Sequence, residues 1–196
     1  AINNTMFVRG RLSRLMLAAV ALVMLASTAI AQRPNYLLFT DPQKRYSVEF
    51  PKDWQWMMVS GAGEPLVTFI QPRKEAAVVV ERYRMRVTLG RDQITDTFEK
   101  IEADLLKENQ PRASDVAAKT VTQNGRRLIL IDYFRPGIDA RERVRQYSYP
   151  VGQDLYRITC MALSTEFSKY ESTFEAVASS LKSSSELGPA APATRK

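Results

Sequence analysis

Apolar positions along this chain recur with two different periods, and the switches between them divide it into strands and helices. Tyr46-Ser-Val-Glu-Phe50 alternates apolar and polar side chains, the mark of a half-buried strand, and Pro51 ends it. The same reasoning gives strands at Tyr36–Thr40, Trp54–Val59 and Leu66–Gln71 and a long one at Ala76–Val87, punctuated by Asp41-Pro42, Ser60-Gly61-Ala62-Gly63, Pro72 and Gly90. Then the period lengthens. Ile94, Phe98, Ile101 and Leu105 fall at steps of four, three and four, which predicts a helix with those residues on its buried face. Asp92 or Asp96 suits its N-cap, Glu99 completes a capping box with Asp96, and Asn109 and Pro111 stop it. Strands resume at Val116–Thr122 and Arg127–Phe134. Between them Asn124-Gly125 tolerates the positive φ angles of a type I′ hairpin. Arg143–Tyr149 and Leu155–Leu163 predict a further hairpin turning at Pro150-Val-Gly152, and Thr165–Lys182 is a last helix with Phe167, Tyr170, Phe174, Val177 and Leu181 as its stripe.

Short turns make the strands antiparallel, and both helical stripes need a sheet to cover them. The pattern therefore predicts an α+β domain with a single, mostly antiparallel sheet flanked by helices, spanning residues 36–182. Ser183–Lys196 is rich in Ser, Pro and Ala without periodicity and reads as a disordered tail.

The front of the chain reads as an address. Met6 is followed by Arg9, Arg11 and Arg14, an apolar run from Leu15 to Ala26, and Ala29-Ile30-Ala31. A basic segment, a short apolar run and a small-x-small site predict a secretory signal peptide over residues 1–31, with residues 1–5 an upstream extension. The apolar run is well short of the about 20 residues that span a bilayer, so no stable membrane span is expected after cleavage. The expected location is exported, periplasmic or extracellular.

Composition narrows the chemistry. Removing residues 1–31 leaves 165 residues with 25 basic and 21 acidic side chains, a surplus too mild for a nucleic-acid binder. Cys160 is the one cysteine and lies in an apolar strand, where a free thiol packs as a small hydrophobe. There is no histidine. That removes Ser-His-Asp and Cys-His catalysis and zinc sites built on imidazole.

Tyr46-Ser-Val-Glu-Phe50-Pro51-Lys-Asp-Trp54 resembles the opening strand of the PsbP-like family. Leu155-Tyr-Arg-Ile-Thr-Cys-Met-Ala162, followed by a helix carrying Tyr170 and Phe174 and ending Val177-Ala-Ser-Ser-Leu181, is similar to the family's closing unit, as are Gly125-Arg126 and Tyr133 to its central hairpin. The resemblance implies an α/β/α sandwich and a non-catalytic role in binding or assisting other proteins. The family includes the extrinsic protein of the photosystem II oxygen-evolving complex, linked to manganese and calcium with histidine among its ligands. Without histidine, that metal function does not carry over to this chain. Tyr46, Phe50 and Trp54 are expected as core anchors.

Two arginine ladders are the candidate contact residues. Arg82, Arg84 and Arg86 share one face of a strand, with Tyr83, Met85 and Val87 expected toward the core, and Arg141, Arg143 and Arg145 repeat the device. Stacked guanidinium groups repel unless paired or solvated, so each ladder predicts either an anion or partner contact or a solvated edge. Ser179-x-x-Lys182 matches an acyl-serine spacing but lacks the companion elements. The acid pairs Glu99/Glu102 and Asp139/Glu142 read as solvated charge. No cofactor is implied, and a weak calcium site stays open because calcium needs only oxygen ligands. The expected function is an exported, non-catalytic binding or accessory domain with an envelope protein as partner. The alternatives are a carboxylate-dependent hydrolase of envelope polymers and a purely structural domain.

Overall fold

The computed structural model describes residues 33, 35–59, 64–89, 96–138 and 140–187, and side chains throughout these except those of Val87, Leu89 and Asp96. The expected signal peptide, the turn at Ser60–Gly63, Ile94, Asp139 and the tail beyond Leu187 lie outside the described residues. Asn35–Lys196 form one unit by themselves. In chain order the elements are β1 (Tyr36–Thr40), β2 (Tyr46–Pro51), β3 (Gln55–Val59), β4 (Leu66–Ile70), β5 (Ala76–Leu89), α1 (Asp96–Asn109), β6 (Ser114–Gln123), β7 (Arg126–Pro136), β8 (Arg141–Leu163), α2 (Phe167–Ser180) and β9 (Lys182–Ser183).

The fold is α+β and its strand pairs are antiparallel, but the strands form two sheets where the sequence reading expects one. Six strands run in the order β3-β4-β5-β8-β7-β6, and three more in the order β1-β2-β9. β2 ends at Pro51, which still pairs with Tyr36, and the chain turns through Lys52-Asp53 into the other sheet. The last two paired residues close the small sheet, with Tyr46 opposite Ser183. The chain therefore stays ordered past Lys182. Ser183 N–H donates to Glu186 Oε2 at 2.8 Å, so the start of the expected tail is folded.

β8 turns back on itself. Twenty-three extended residues would span about 75 Å, yet the Ser164 N–H donates to the Arg141 carbonyl at 2.9 Å. Its first half pairs with β7 and its second with β5, and Gly152 at φ 63° marks the reversal. The expected hairpin is thus present within one continuous strand. Asn124 (φ 52°) and Gly125 (φ 72°) make the expected positive-φ turn between β6 and β7.

The large sheet has two faces with different fillings. One is covered by α2 and the small sheet around Phe50, Phe69, Val78, Ile158, Phe174 and their neighbours, with Tyr46, Trp54 and Cys160 buried there as expected. Phe50 and Phe69 stack at 4.6 Å, and the Tyr156 hydroxyl donates to the Arg45 carbonyl at 3.1 Å, tying the sheets together. The other face carries α1 over a much smaller cluster, Leu106 on Ile129, Ile131, Tyr133 and Val144, with Phe98 packed against it. Here the expected stripe shifts. Ile101 and Leu105 are exposed, and the buried row is Phe98, Glu102, Leu106. Both rows have helical spacing. The second wins because Glu102 finds partners beneath the helix.

Candidate functional site

The structure places both ladders on the α2 side of the large sheet, at opposite ends. Arg82 and Arg84 face Tyr156 and Asp154 near the reversal of β8, whereas Arg141 sits at its far end beside Ser164. Val78 and Val80 are buried in the same row of β5, so Arg82 continues the core face. Tyr83, expected toward the core, lies on the opposite face and is exposed.

Most of the six guanidinium groups are used within the fold. Arg82 is buried between Asp154 (2.8 Å) and Glu64 (3.1 Å). Arg145 bonds Asp132 at 2.9 Å and Glu171 on α2 at 2.7 Å, which keeps its charge despite burial and holds its pKa above the ordinary arginine value. Arg143 lies 4.6 Å over the Phe167 ring and 3.5 Å from Asp132. Arg141 pairs with Asp115 and lies 3.9 Å over Phe134. Arg84 reaches only Gln153 (2.9 Å), and Arg86 is exposed with no ion pair among the described residues.

A further polar site is one that sequence reasoning missed. Between α1 and the large sheet lies a groove of about 430 Å³. Its floor is an ion pair: Arg157 Nη2 donates to Glu102 Oε2 at 3.0 Å. The Ser148 hydroxyl donates to the same oxygen at 2.9 Å, and the Glu102 side chain is only 2% exposed. The pair Glu99/Glu102 is therefore not solvated charge, because Glu102 is enclosed and Glu99 accepts from Thr120 at 2.8 Å. Burial works against the Arg157 charge, but the Glu102 carboxylate outweighs it and raises the pKa. The Tyr83 ring covers this guanidinium at 4.8 Å, and burial raises the Tyr83 phenol. Arg135 closes one side, bonded to Glu142 at 2.8 Å. A carboxylate on the same helical row as Phe98 and Leu106 was the sequence signal, and it is legible only once that row is known to face inward.

The groove also holds Glu81, so two carboxylates line it. A hydrolase needs one acid free to donate and one free to attack. Glu102 has its Oε2 committed to two donors, which fits a structural anchor. Ser179 and Lys182 form no site: the Ser179 hydroxyl donates to the Ala176 carbonyl at 3.0 Å and Lys182 lies in β9 beyond the helix. Among the described residues no cluster of three or more acids or cysteines is arranged to hold a metal. Among them too, no helix is long and apolar enough to cross a membrane.

The other conspicuous surface is an edge. Among the described residues, β3 pairs only with β4 and β1 only with β2. Leu38 (55%), Trp56 (52%) and Met57 (52%) stand exposed there, and Trp56 meets Phe39 edge-on at 5.3 Å, joining the two edges.

Among solved structures, the chain is similar to cyanobacterial PsbP (CyanoP) from Synechocystis sp. PCC 6803, with 15% identity, 82% of this chain and 99% of that chain covered, and a TM-score of 0.56. It is also similar to the Ran-binding protein Mog1p of Saccharomyces cerevisiae, with 8% identity, 76% and 96% coverage, and a TM-score of 0.51. At these identities the likeness is one of fold. No curated protein matches the chain. The PsbP family profile matches residues 34–183, from just before β1 to the end of β9, so the two sheets and both helices described above are those of a PsbP domain and the chain belongs to the PsbP family.

Proposed function

We propose that this chain is an exported, non-catalytic accessory domain that binds a protein of the cell envelope, with edge strand β3 at the centre of the contact. The carrying observation is the unprotected edge. Gln55-Trp-Met-Met-Val59 has no charge and no proline, the devices that normally keep an edge strand from pairing. Its ladder groups on one side have no strand partner among the described residues, and an exposed tryptophan and methionine are the side chains that anchor protein contacts. β5 pairs with β4 only as far as Val80, so Arg84 and Arg86 extend from β5 beyond β4 as the ladder cations left for a partner. Family membership supports an accessory role, and one structural neighbour is itself described as a Ran-binding protein.

The test is site-specific photocrosslinking in the native envelope. A crosslinker at Met57 is expected to capture one discrete envelope protein. A crosslinker at Lys119, on the opposite edge strand β6, is expected to capture none. Adding Trp56→Ala to the Met57 crosslinker chain is expected to abolish the adduct. Equal capture from both edges, or no adduct from Met57, overturns the assignment, and recovery of the protein from the cytoplasm overturns export.

A further inference from the structure

We propose that the groove under α1 binds a small apolar α-amino acid as its zwitterion, with the carboxylate on Arg157 and the ammonium on Glu81. This site is on the opposite face of the large sheet from α2 and is independent of the β3 contact.

Glu81 and Arg157 lie directly across from each other in the register of β5 and β8. Opposite charges in that relation ordinarily pair. Here they do not. Arg157 is drawn away to Glu102 on α1 and lies under the Tyr83 ring, and Glu81 makes no ion pair among the described residues. The Arg157 Nε–H is buried and has no acceptor. A buried donor without a partner is destabilising, and in the same groove the Glu81 carboxylate acts on Arg157 through space without closing an ion pair with it.

The charges select the ligand. A simple anion on Arg157 meets repulsion from Glu81 and Glu102, and a simple cation on Glu81 meets Arg157. A zwitterion satisfies both groups at once and leaves the groove's charge unchanged. The guanidinium Nε edge matches a carboxylate. The rest of the lining is mixed, with Val79, Leu105, Leu106 and Met161 giving apolar surface beside polar Gln146 and Thr159, and the apolar part suits a branched or thioether side chain. The volume lies in the range of small-molecule sites.

The experiment is titration calorimetry on the mature chain with L-leucine and L-methionine. The control probes are 4-methylpentanoate, which lacks the ammonium, 3-methylbutylamine, which lacks the carboxylate, and glycine, which lacks the side chain. Saturable binding of both amino acids is expected with Kd of about 0.1–1 mM, and binding of each control at least about tenfold weaker. Glu81 is at the groove wall and outside the buried core, so Glu81→Gln is expected to leave the unliganded Tm unchanged. It should weaken L-leucine about tenfold while 4-methylpentanoate binds no more weakly, because its carboxylate no longer meets the Glu81 charge. Leu105→Arg, at the mouth, is expected to block all probes. Three results overturn the proposal: no amino-acid binding up to about 10 mM, 4-methylpentanoate binding as well as L-leucine, or unchanged L-leucine affinity in Glu81→Gln.

Discussion

Replacing Glu102 by leucine tests whether the α1 layer rests on its buried ion pair. The carboxylate is 2% exposed and the Arg157 side chain 19% exposed, so neither group is well hydrated. Glu102→Leu leaves the guanidinium without its counter-charge where its Nε already lacks an acceptor, and it takes the acceptor from the buried Ser148 hydroxyl. Breaking one side of a buried pair costs about 3–5 kcal/mol. For a domain of this size each kcal/mol moves the Tm by about 2–4 °C, so a fall of about 6–20 °C is expected. The double variant Glu102→Leu/Arg157→Met removes both charges and keeps the volume apolar. Such exchanges are often near neutral, so it should return to within about 1 kcal/mol of the parent. Urea unfolding followed by tryptophan fluorescence and near-UV circular dichroism gives all four corners of the cycle, provided the two probes report one transition. A surface glutamate would cost less than about 0.5 kcal/mol. A loss below about 1 kcal/mol in Glu102→Leu, or a double variant as unstable as the single, would refute the reasoning.

Buried and exposed members of the ladders should separate on substitution. Arg145→Met strips Asp132 and Glu171 of a shared partner. Both acids retain some access to water, so a loss of about 1–3 kcal/mol is expected. Arg86→Gln should stay within about 0.5 kcal/mol, and similar urea midpoints for the two variants would contradict the placement. A third prediction concerns alkaline pH. Burial pushes the phenols of Tyr46, Tyr147 and Tyr149 well above their ordinary 10.0. The unfolded chain loses these protons first, so stability is full below about pH 10 and falls as pH rises toward the folded pKa values. The slope is up to about 1.4 kcal/mol per pH unit per tyrosine. A flat urea midpoint across this range, or absorbance showing all eight tyrosines of the folded protein ionised by about pH 10, would contradict it.

Elements whose fate is decided locally were legible in the sequence. The Asn124-Gly125 turn is set by backbone sterics, and the Phe167–Leu181 stripe is long, aromatic and unbroken. The split into two sheets was not legible. It depends on which strand pairs with which, and β2 finds β9 from the far end of the chain. Tyr83 lies on the opposite face from the one expected for a related reason. Alternation fixes which residues share a face, but only the neighbours fix which face is inside. Arg82 shares a row with Val78 and Val80 and is buried because Glu64 and Asp154 reach it. The same logic hid the groove. The helical rows Ile101-Leu105 and Phe98-Glu102-Leu106 have equal claim by period, and hydrophobicity favours the wrong one.

The unequal layers on the two faces of the large sheet explain why the groove exists at all. On the α2 side, Phe167, Tyr170 and Phe174 fill the space against the aromatics of both sheets. A helix seated by such side chains lies close to its sheet. α1 has only Phe98 and Leu106 to offer, and the middle of its inward row is a glutamate. The Glu102 carboxylate meets Arg157 and Ser148 beneath the helix, and the groove lies beside that pair. The polar anchor and the cavity are therefore one feature. A more apolar α1 would pack more firmly and close the site, so the glutamate that sequence patterning counts as an exposed charge is the residue that makes a ligand-sized space possible.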